Sequence, residues 1–150
     1  MKNKKVLVTG GLGFIGWNLV KKLLDKKYQV LILDISSAFG DKFELEYLNH
    51  KLLSIYKGDI LNSKLCLELI SKVDGVFHLA ANNSVSESLK FPEKYLKDNV
   101  LGTLNLLEAC RKSGIDFFIF SSSCSVYGEQ DTMPISEGAK LRPMSPYAVR

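Results

Sequence analysis

Apolar residues along the chain fall into two alternating patterns, short unbroken runs and longer segments with helical spacing. The first run is Val6–Val8, and such a run is typical of a strand buried on both faces of a parallel sheet. The run ends before Gly10 and Gly11, and a helical pattern follows at once. The apolar positions of this first helix are Phe14, Ile15, Leu19, Val20, Leu23 and Leu24.

The same alternation continues along the chain. Further strands are predicted at Val30–Leu33, Leu52–Tyr56, Gly75–Leu79 and Phe117–Phe120. Further helices are predicted within Asp41–Leu48, after an N-cap at Asn62 or Ser63, and over Pro92–Ser113. Strands that alternate with helices predict an α/β fold with a doubly wound parallel sheet and right-handed crossovers.

The long helix Pro92–Ser113 has its own pattern and one interruption. Its apolar face is predicted from Tyr95, Leu96, Val100, Leu104, Leu107 and Cys110. Gly102 lies in the middle, where glycine costs about 1 kcal/mol relative to alanine. We therefore expect close packing or a cofactor contact at Gly102. Gly114 is the predicted C-cap, and the segment from Val126 to Arg150 is rich in turn residues.

The turn after the first strand carries the strongest chemical signal. Gly10 allows a sharp turn with positive φ, and Gly13 allows backbone N–H groups to approach a pyrophosphate at the helix N-terminus. Gly16 allows close packing of the helix on the strand. Asp34 ends the second strand at about the 20-residue separation expected of an acid that binds ribose hydroxyls. A carboxylate there repels a 2′-phosphate, so the pattern favours NAD over NADP.

Composition narrows the class of protein. The 150 residues are 46% apolar and 24% charged with a net charge of +4, which predicts one globular domain without nucleic-acid or membrane partners. No signal-peptide pattern is present, so a cytoplasmic location is expected. Cys66, Cys110 and Cys124 are widely spaced. They indicate reduced, mostly buried thiols, with neither a disulfide framework nor a metal site.

The carboxyl ends of the predicted strands converge on a single site. Parallel sheets bind ligands at that edge. The residues predicted there are Gly10, Asp34, Asp59, Ala80 and Ser123.

Several motifs, taken in order, resemble those of a known family. They are Thr9–Gly16, Asp34, Gly58–Ile60, His78–Ala81, Asn99–Thr103, Ser121–Gly128 and Ser145–Tyr147. This set resembles the extended short-chain dehydrogenase/reductases, and within them the NAD-dependent nucleotide-sugar epimerase/dehydratase family, most closely its UDP-sugar 4-epimerases. The resemblance covers the whole chain and implies a Rossmann fold with strand order 3-2-1-4-5 and NAD as cofactor. Asn83 is a departure, because many galactose epimerases have lysine there.

The resemblance also assigns roles to individual residues. It implies that Tyr147 is the base and that Ser123 hydrogen-bonds the reacting sugar oxygen, whereas His78 is structural. The cofactor-binding residues that it implies are Gly10, Gly13, Phe14, Ile15, Gly16, Asp34, Asp59, Ile60, Leu79, Ala80, Ala81, Asn99, Ser121 and Tyr147. Among these, Asp59 and Ile60 would contact the adenine.

The implied reaction inverts a sugar carbon, C4 of a UDP-hexose, by transient oxidation to a ketone. Alternatives are a nucleotide-sugar dehydratase or reductase of the same family and a non-catalytic NAD-binding module. Ser122–Cys124 stands where dehydratases of the family carry a Thr-Asp-Glu-type sequence, which favours the epimerase.

The family places a lysine four residues after the tyrosine, one position beyond Arg150. We therefore expect residues 1–150 to be an incomplete NAD-binding domain that lacks the last strands and the substrate domain. This part alone is expected to bind NAD without turnover and to expose apolar sheet surface. A homodimer is expected for the full-length protein.

Overall fold

The computed structural model describes residues 4–35 and 45–149. The first half of the segment predicted as helical at Asp41–Leu48 lies outside these residues, as does Arg150; the described half of that segment forms a four-residue helix. The strands are β1 Lys5–Thr9, β2 Gln29–Asp34, β3 Leu53–Lys57, β4 Gly75–His78 and β5 Phe117–Phe120. The α-helices are α1 Phe14–Asp25, α2 Leu45–Leu48, α3 Ser63–Ile70, α4 Val85–Lys90, α5 Pro92–Tyr95 and α6 Gly102–Ser113. A π-helix over Leu96–Leu101 joins α5 to α6, and a 3₁₀-helix spans Cys124–Tyr127.

The five strands form one parallel sheet in the order β3-β2-β1-β4-β5. This order confirms the predicted Rossmann arrangement. In the register of the central strands, Val8 lies opposite Ile32 on one side and Phe77 on the other. The carboxyl ends of β1, β2 and β4 therefore lie at the same edge of the sheet.

Strand β1 is buried on both faces, as its continuous apolar run predicts. Val6 and Val8 pack with Val20 of α1, whereas Leu7 packs on the other face with Leu106 of α6. All three β1 side chains are 0% exposed. Burial of one such aliphatic side chain contributes about 1.5–3 kcal/mol, so the two layers hold β1 and the turn that follows it in place.

The first helix begins at Phe14, where the predicted helical pattern begins, but only part of that apolar pattern is buried. Its buried residues are Gly16, Trp17, Val20, Leu23 and Leu24. Phe14 and Ile15, which also belong to the apolar pattern, are 88% and 65% exposed. Both residues belong to the first turn of the helix and line the cleft described below, where no part of the sheet covers them.

The long helix is also continuous over the predicted range, but of its predicted apolar positions only Tyr95 and Cys110 are buried. Leu96, Leu104 and Leu107 are 59%, 51% and 44% exposed. The buried positions are Tyr95, Asn99, Gly102, Leu106, Ala109 and Cys110. From Tyr95 to Ala109 these positions follow one another three or four residues apart, as on one face of a regular helix, and they include asparagine, glycine and alanine, so the large apolar residues alone do not mark the buried face.

Gly102 is explained by close packing. A Cβ at this position would lie 2.5 Å from Ile60 Cδ1 and 2.7 Å from Ile60 Cγ1. Ile60 is 8% exposed and belongs to the segment that follows β3. Glycine in the helix therefore lets the helix approach one wall of the cleft, which confirms the expectation of close packing.

Helix α4 was absent from the sequence prediction. Its N-cap is Ser84, whose side chain accepts a hydrogen bond from the Glu87 N–H at 3.2 Å. The Ser-x-x-Glu spacing is that of a capping box, so the sequence does contain a signal for the start of this helix.

Two of the three cysteines are buried, as predicted, and Cys124 is exposed. Burial raises the pKa of the Cys66 thiol to about 11, and the nearby Asp59 carboxylate adds to the effect. Burial likewise raises the pKa of Cys110 to about 11. Among residues 4–35 and 45–149, no group of three His, Cys, Asp or Glu side chains could hold a metal ion. Nor does any helix in these ranges have the length and apolar character required to cross a bilayer.

Candidate dinucleotide-binding site

A cleft of about 600 Å³ lies at the carboxyl edge of the sheet. Twelve of the residues implied as cofactor-binding line it. They are Gly10, Gly13, Phe14, Ile15, Gly16, Asp34, Asp59, Ile60, Leu79, Ala80, Ala81 and Ser121. The lining also contains residues that the prediction omitted, namely Leu12, Leu33, Ile35, Gly58, Asn82, Asn83 and Asp98.

The glycine turn forms the wall of the cleft nearest β1. Gly10 has φ +69°, and a Cβ there would lie 2.7 Å from the Ala80 backbone nitrogen. A Cβ on Gly16 would overlap the Gly10 carbonyl oxygen. Gly13 has φ −75°, so left-handed backbone is not the reason for glycine there. The turn therefore depends on Gly10 for its conformation and on Gly16 for its contact with the helix.

The N-terminus of α1 opens directly on this turn. Its N-cap is Gly13, which provides no side-chain hydrogen bond, and the first turn of the helix contains no acidic residue. The first N–H groups of a helix have no partner within the helix, and together with the helix dipole they attract anions. Because Gly13, Phe14, Ile15 and Gly16 all line the cleft, a phosphate in the cleft can reach these donors.

Asp34 lies at the end of β2, next to the glycine turn. The Leu12 N–H donates to Asp34 Oδ2 at 3.0 Å. This hydrogen bond ties the carboxylate to the glycine turn and fixes its orientation. The side chain is partly buried and lines the cleft, so ribose hydroxyls in the cleft can donate to it.

The charge of the lining is entirely negative. Asp34, Asp59 and Asp98 are its charged members, and no lysine or arginine from the described ranges lines the cleft. A phosphate held there would depend on backbone N–H groups. A further phosphate next to Asp34 would be repelled, because like charges at short range disfavour each other.

The loop after β4 forms the third wall. Asn99 is 3% exposed and does not line the cleft. Its Oδ1 accepts from the Asn82 N–H at 2.8 Å, and its Nδ2 donates to the Asn82 carbonyl oxygen at 3.0 Å. Asn99 therefore acts on the cleft through Asn82, which does line it.

Ser123 and Tyr147 lie outside the cleft lining. Ser123 is the N-cap of the 3₁₀-helix, and its Oγ accepts from the Ser125 N–H at 3.2 Å. Tyr147 is 8% exposed, in a turn where the Ser145 Oγ accepts from the Ala148 N–H at 3.2 Å. Between these two residues, two segments of the chain are joined by a hydrogen bond, which the Arg142 N–H donates to the Val126 carbonyl oxygen at 3.0 Å.

His78 has the structural role that was expected. It is 1% exposed, and hydroxyl groups of Thr9 and Thr103 lie 2.7 and 2.9 Å from its two ring nitrogens. Its ring stacks on Phe120 with the centroids 5.4 Å apart.

Comparison with known proteins gives consistent similarities. The sequence profile of the NAD dependent epimerase/dehydratase family matches residues 6–150. The UDP-glucose 4-epimerase of Rhizobium meliloti is 38% identical over 149 residues, which are 98% of this chain and 44% of that protein. The chain therefore spans less than half the length of this curated relative.

Solved structures show the same similarity. The UDP-N-acetylglucosamine 4-epimerase from Methanobrevibacter ruminantium M1, in complex with UDP-N-acetylmuramic acid, is 41% identical with a TM-score of 0.87, covering 99% of this chain and 47% of that one. The UDP-glucose-4-epimerase from Stenotrophomonas maltophila, with bound NAD and formylated UDP-arabinopyranose, is 32% identical with a TM-score of 0.88, covering 98% and 45%.

Proposed function

The chain belongs to the NAD dependent epimerase/dehydratase family, and we propose that residues 1–150 are its NAD-binding Rossmann domain. One observation carries the proposal. The uncapped N-terminus of α1 and the Asp34 carboxylate face the same cleft, and the Leu12 N–H joins them. This arrangement suits a ligand that has a diphosphate next to a ribose.

The remaining lining residues suit the other parts of a dinucleotide. Asp59 and Ile60, with Gly58, form the wall beyond Asp34 where an adenine would lie. Phe14 and Ile15 offer exposed apolar surface to the cofactor. Ala80 and Ala81 present small side chains and backbone groups to the other half of the ligand. The relatives crystallised with NAD support this arrangement.

We further propose that the full-length protein inverts C4 of a UDP-hexose. NAD, when bound, supplies reversible hydride transfer. Tyr147, as the deprotonated phenolate, would accept the proton of the sugar hydroxyl, and Ser123 would hydrogen-bond the same sugar oxygen and stabilise the charge that develops on it. Relatives named as UDP-glucose and UDP-N-acetylglucosamine 4-epimerases support the substrate class.

A second candidate is NAD binding without turnover by residues 1–150 alone. The positions of Ser123 and Tyr147 outside the cleft lining favour it for this part of the chain. The two proposals are compatible if further polypeptide completes the catalytic side of the cleft.

Substitution of Tyr147 by phenylalanine tests the proposed catalytic role of this residue. In a protein of the relatives' full length that contains this chain, Tyr147→Phe is expected to lower kcat at least about 100-fold, because it removes the general base. The conversion of UDP-galactose to UDP-glucose measures this effect. The affinity for NAD should stay within about twofold of the wild type.

The control is Tyr127→Phe, which removes an exposed hydroxyl 3.4 Å from the Glu137 carbonyl oxygen. This variant is expected to keep the wild-type kcat. Equal turnover by Tyr147→Phe and the wild type would rule out Tyr147 as the base. Turnover by residues 1–150 alone would contradict the proposal that this part only binds the cofactor.

We also propose that the full-length protein is a homodimer. Exposed leucines recur three to five residues apart along the π-helix and α6, at Leu96, Leu101, Leu104 and Leu107. Apolar patches of this kind mark interaction surfaces. Ile119 and Phe120 of the edge strand β5 are exposed as well, and they add apolar surface through which residues 1–150 can self-associate.

Self-association of residues 1–150 is therefore expected in light scattering, and Leu104→Glu with Leu107→Glu should reduce it. A monomer with a cooperative melt at the same concentration would contradict this expectation.

A further inference from the structure

The cleft-lining residue Asn82 is held by two consecutive residues of the π-helix. Asn99 bonds both the N–H and the carbonyl oxygen of Asn82. Asp98 accepts from Asn82 Nδ2 through Oδ2 at 2.6 Å. Three hydrogen bonds thus fix one loop residue from two neighbouring positions on the helix.

A second set of hydrogen bonds connects this helix to β1. The Thr103 hydroxyl bonds the Asn99 carbonyl oxygen and also lies 2.9 Å from His78 Nε2. His78 Nδ1 lies 2.7 Å from the Thr9 hydroxyl oxygen, which accepts from the Ala80 N–H at 3.3 Å. The network therefore runs from the helix through the core to the end of the strand that carries the glycine turn.

The direction of each bond in this network follows from counting hydrogens. A carbonyl oxygen only accepts, so the single Thr103 hydroxyl hydrogen is donated to Asn99. Thr103 must then accept from His78, which places a proton on Nε2.

On the other side of the ring, Nδ1 can accept the Thr9 hydroxyl hydrogen only if it carries no proton. Thr9 is 0% exposed, so a protonated Nδ1 would leave its hydroxyl hydrogen without a partner at a cost of about 1–3 kcal/mol.

We propose that His78 and Thr103 are positioning residues that hold the loop at residues 80–82 against the cleft, in a network that requires a neutral His78 with its proton on Nε2. The inference rests on the proposed NAD site for its functional consequence. Neither residue lines the cleft. Both ends of the network do reach it, through Ala80 next to Gly10 and through Asn82.

The protonation of His78 can be observed directly by NMR. The chain contains two histidines, so nitrogen-15 labelling of histidine in His50→Gln leaves one imidazole in the spectrum. We expect a neutral ring protonated on Nε2 near neutral pH, without NAD present. A ring protonated on Nδ1, or on both nitrogens, would overturn the network.

The functional consequence is tested with two substitutions of Thr103. Thr103→Val keeps the side-chain shape but removes the hydroxyl, whereas Thr103→Ser keeps the hydroxyl. Thr103→Val is expected to weaken NAD binding about tenfold, which is about 1.4 kcal/mol, and Thr103→Ser should stay within about twofold of the wild type. The measurement is calorimetric titration of NAD into folded protein, with melting curves of each variant.

Loss of thermal stability in Thr103→Val with unchanged NAD affinity would overturn the positioning role, because a purely structural role predicts that outcome. The same affinity in the two Thr103 variants would also overturn it. If the wild-type chain fails to bind NAD, the proposed function falls and the positioning role falls with it. The NMR measurement still decides the hydrogen-bond network separately.

Discussion

Gly16→Ala is expected to weaken NAD binding at least about 100-fold, equivalent to about 2.7 kcal/mol. A Cβ at Gly16 would overlap the Gly10 carbonyl oxygen and lie 2.8 Å from Gly11 Cα. These neighbours are backbone atoms, so no side-chain rotation relieves the overlap. The start of α1 must move away from the glycine turn, and its N–H donors move with it.

The same displacement is expected to reduce stability. Overpacking of a close contact costs about 1–3 kcal/mol, which lowers the melting temperature of a domain of this size by several degrees. Titration calorimetry gives the loss of affinity, and differential scanning calorimetry gives the loss of stability.

The matched control for this substitution is Gly138→Ala. A Cβ at Gly138 would have no heavy atom within 4 Å, and its φ is outside the left-handed region. This variant is expected to keep the wild-type affinity and to change stability by no more than about 0.5 kcal/mol. An equal affinity for NAD in Gly16→Ala and Gly138→Ala would show that the close packing of α1 on the glycine turn does not support NAD binding.

Asp34→Asn is expected to weaken NAD binding about 10- to 100-fold and to narrow the preference for NAD over NADP. An asparagine retains an oxygen that can accept from the Leu12 N–H, so the turn should keep its shape. The lost interactions are charge-assisted hydrogen bonds to ribose hydroxyls, which contribute about 1.5–3 kcal/mol. Removal of the carboxylate also removes its repulsion of a 2′-phosphate.

The control for Asp34→Asn is Asp131→Asn, at an exposed position outside the cleft lining that changes the net charge by the same amount. It is expected to leave both affinities within about twofold of the wild type. The proposed role of Asp34 is wrong if Asp34→Asn binds NAD as tightly as the wild type, or if the ratio of the affinities for NAD and NADP stays unchanged.

Local signals in the sequence predicted the parallel sheet, the glycine turn and Asp34, whereas the strand order and most of the other cleft residues came from the family resemblance. The run Val6–Val8 is typical of a strand buried on both faces of a parallel sheet, and the position of Gly10 and Gly16 around the turn indicated the close contacts that the structure has. Asp34 follows its strand directly, so its place at the sheet edge is determined once β2 lies next to β1.

Other features depend on tertiary contacts. Phe14 and Ile15 have the same apolar character as core residues, and periodicity cannot distinguish a side chain that faces the core from one that lines a cleft. The helix Pro92–Ser113 carries leucines on two adjacent faces, and its buried face also contains Asn99, Gly102 and Ala109, so apolar character alone could not predict that Leu106 is buried and Leu104 exposed. Asn82 and Asp98 reach the cleft only because the π-helix lies behind the loop after β4.

The position of NAD in a crystal of this chain grown with the cofactor tests the central claim most directly. We expect the diphosphate within about 3 Å of backbone N–H groups at the start of α1, with the adenosine ribose hydroxyls on the Asp34 carboxylate. A dinucleotide bound away from this cleft, or no bound dinucleotide at saturating NAD, would contradict the claim.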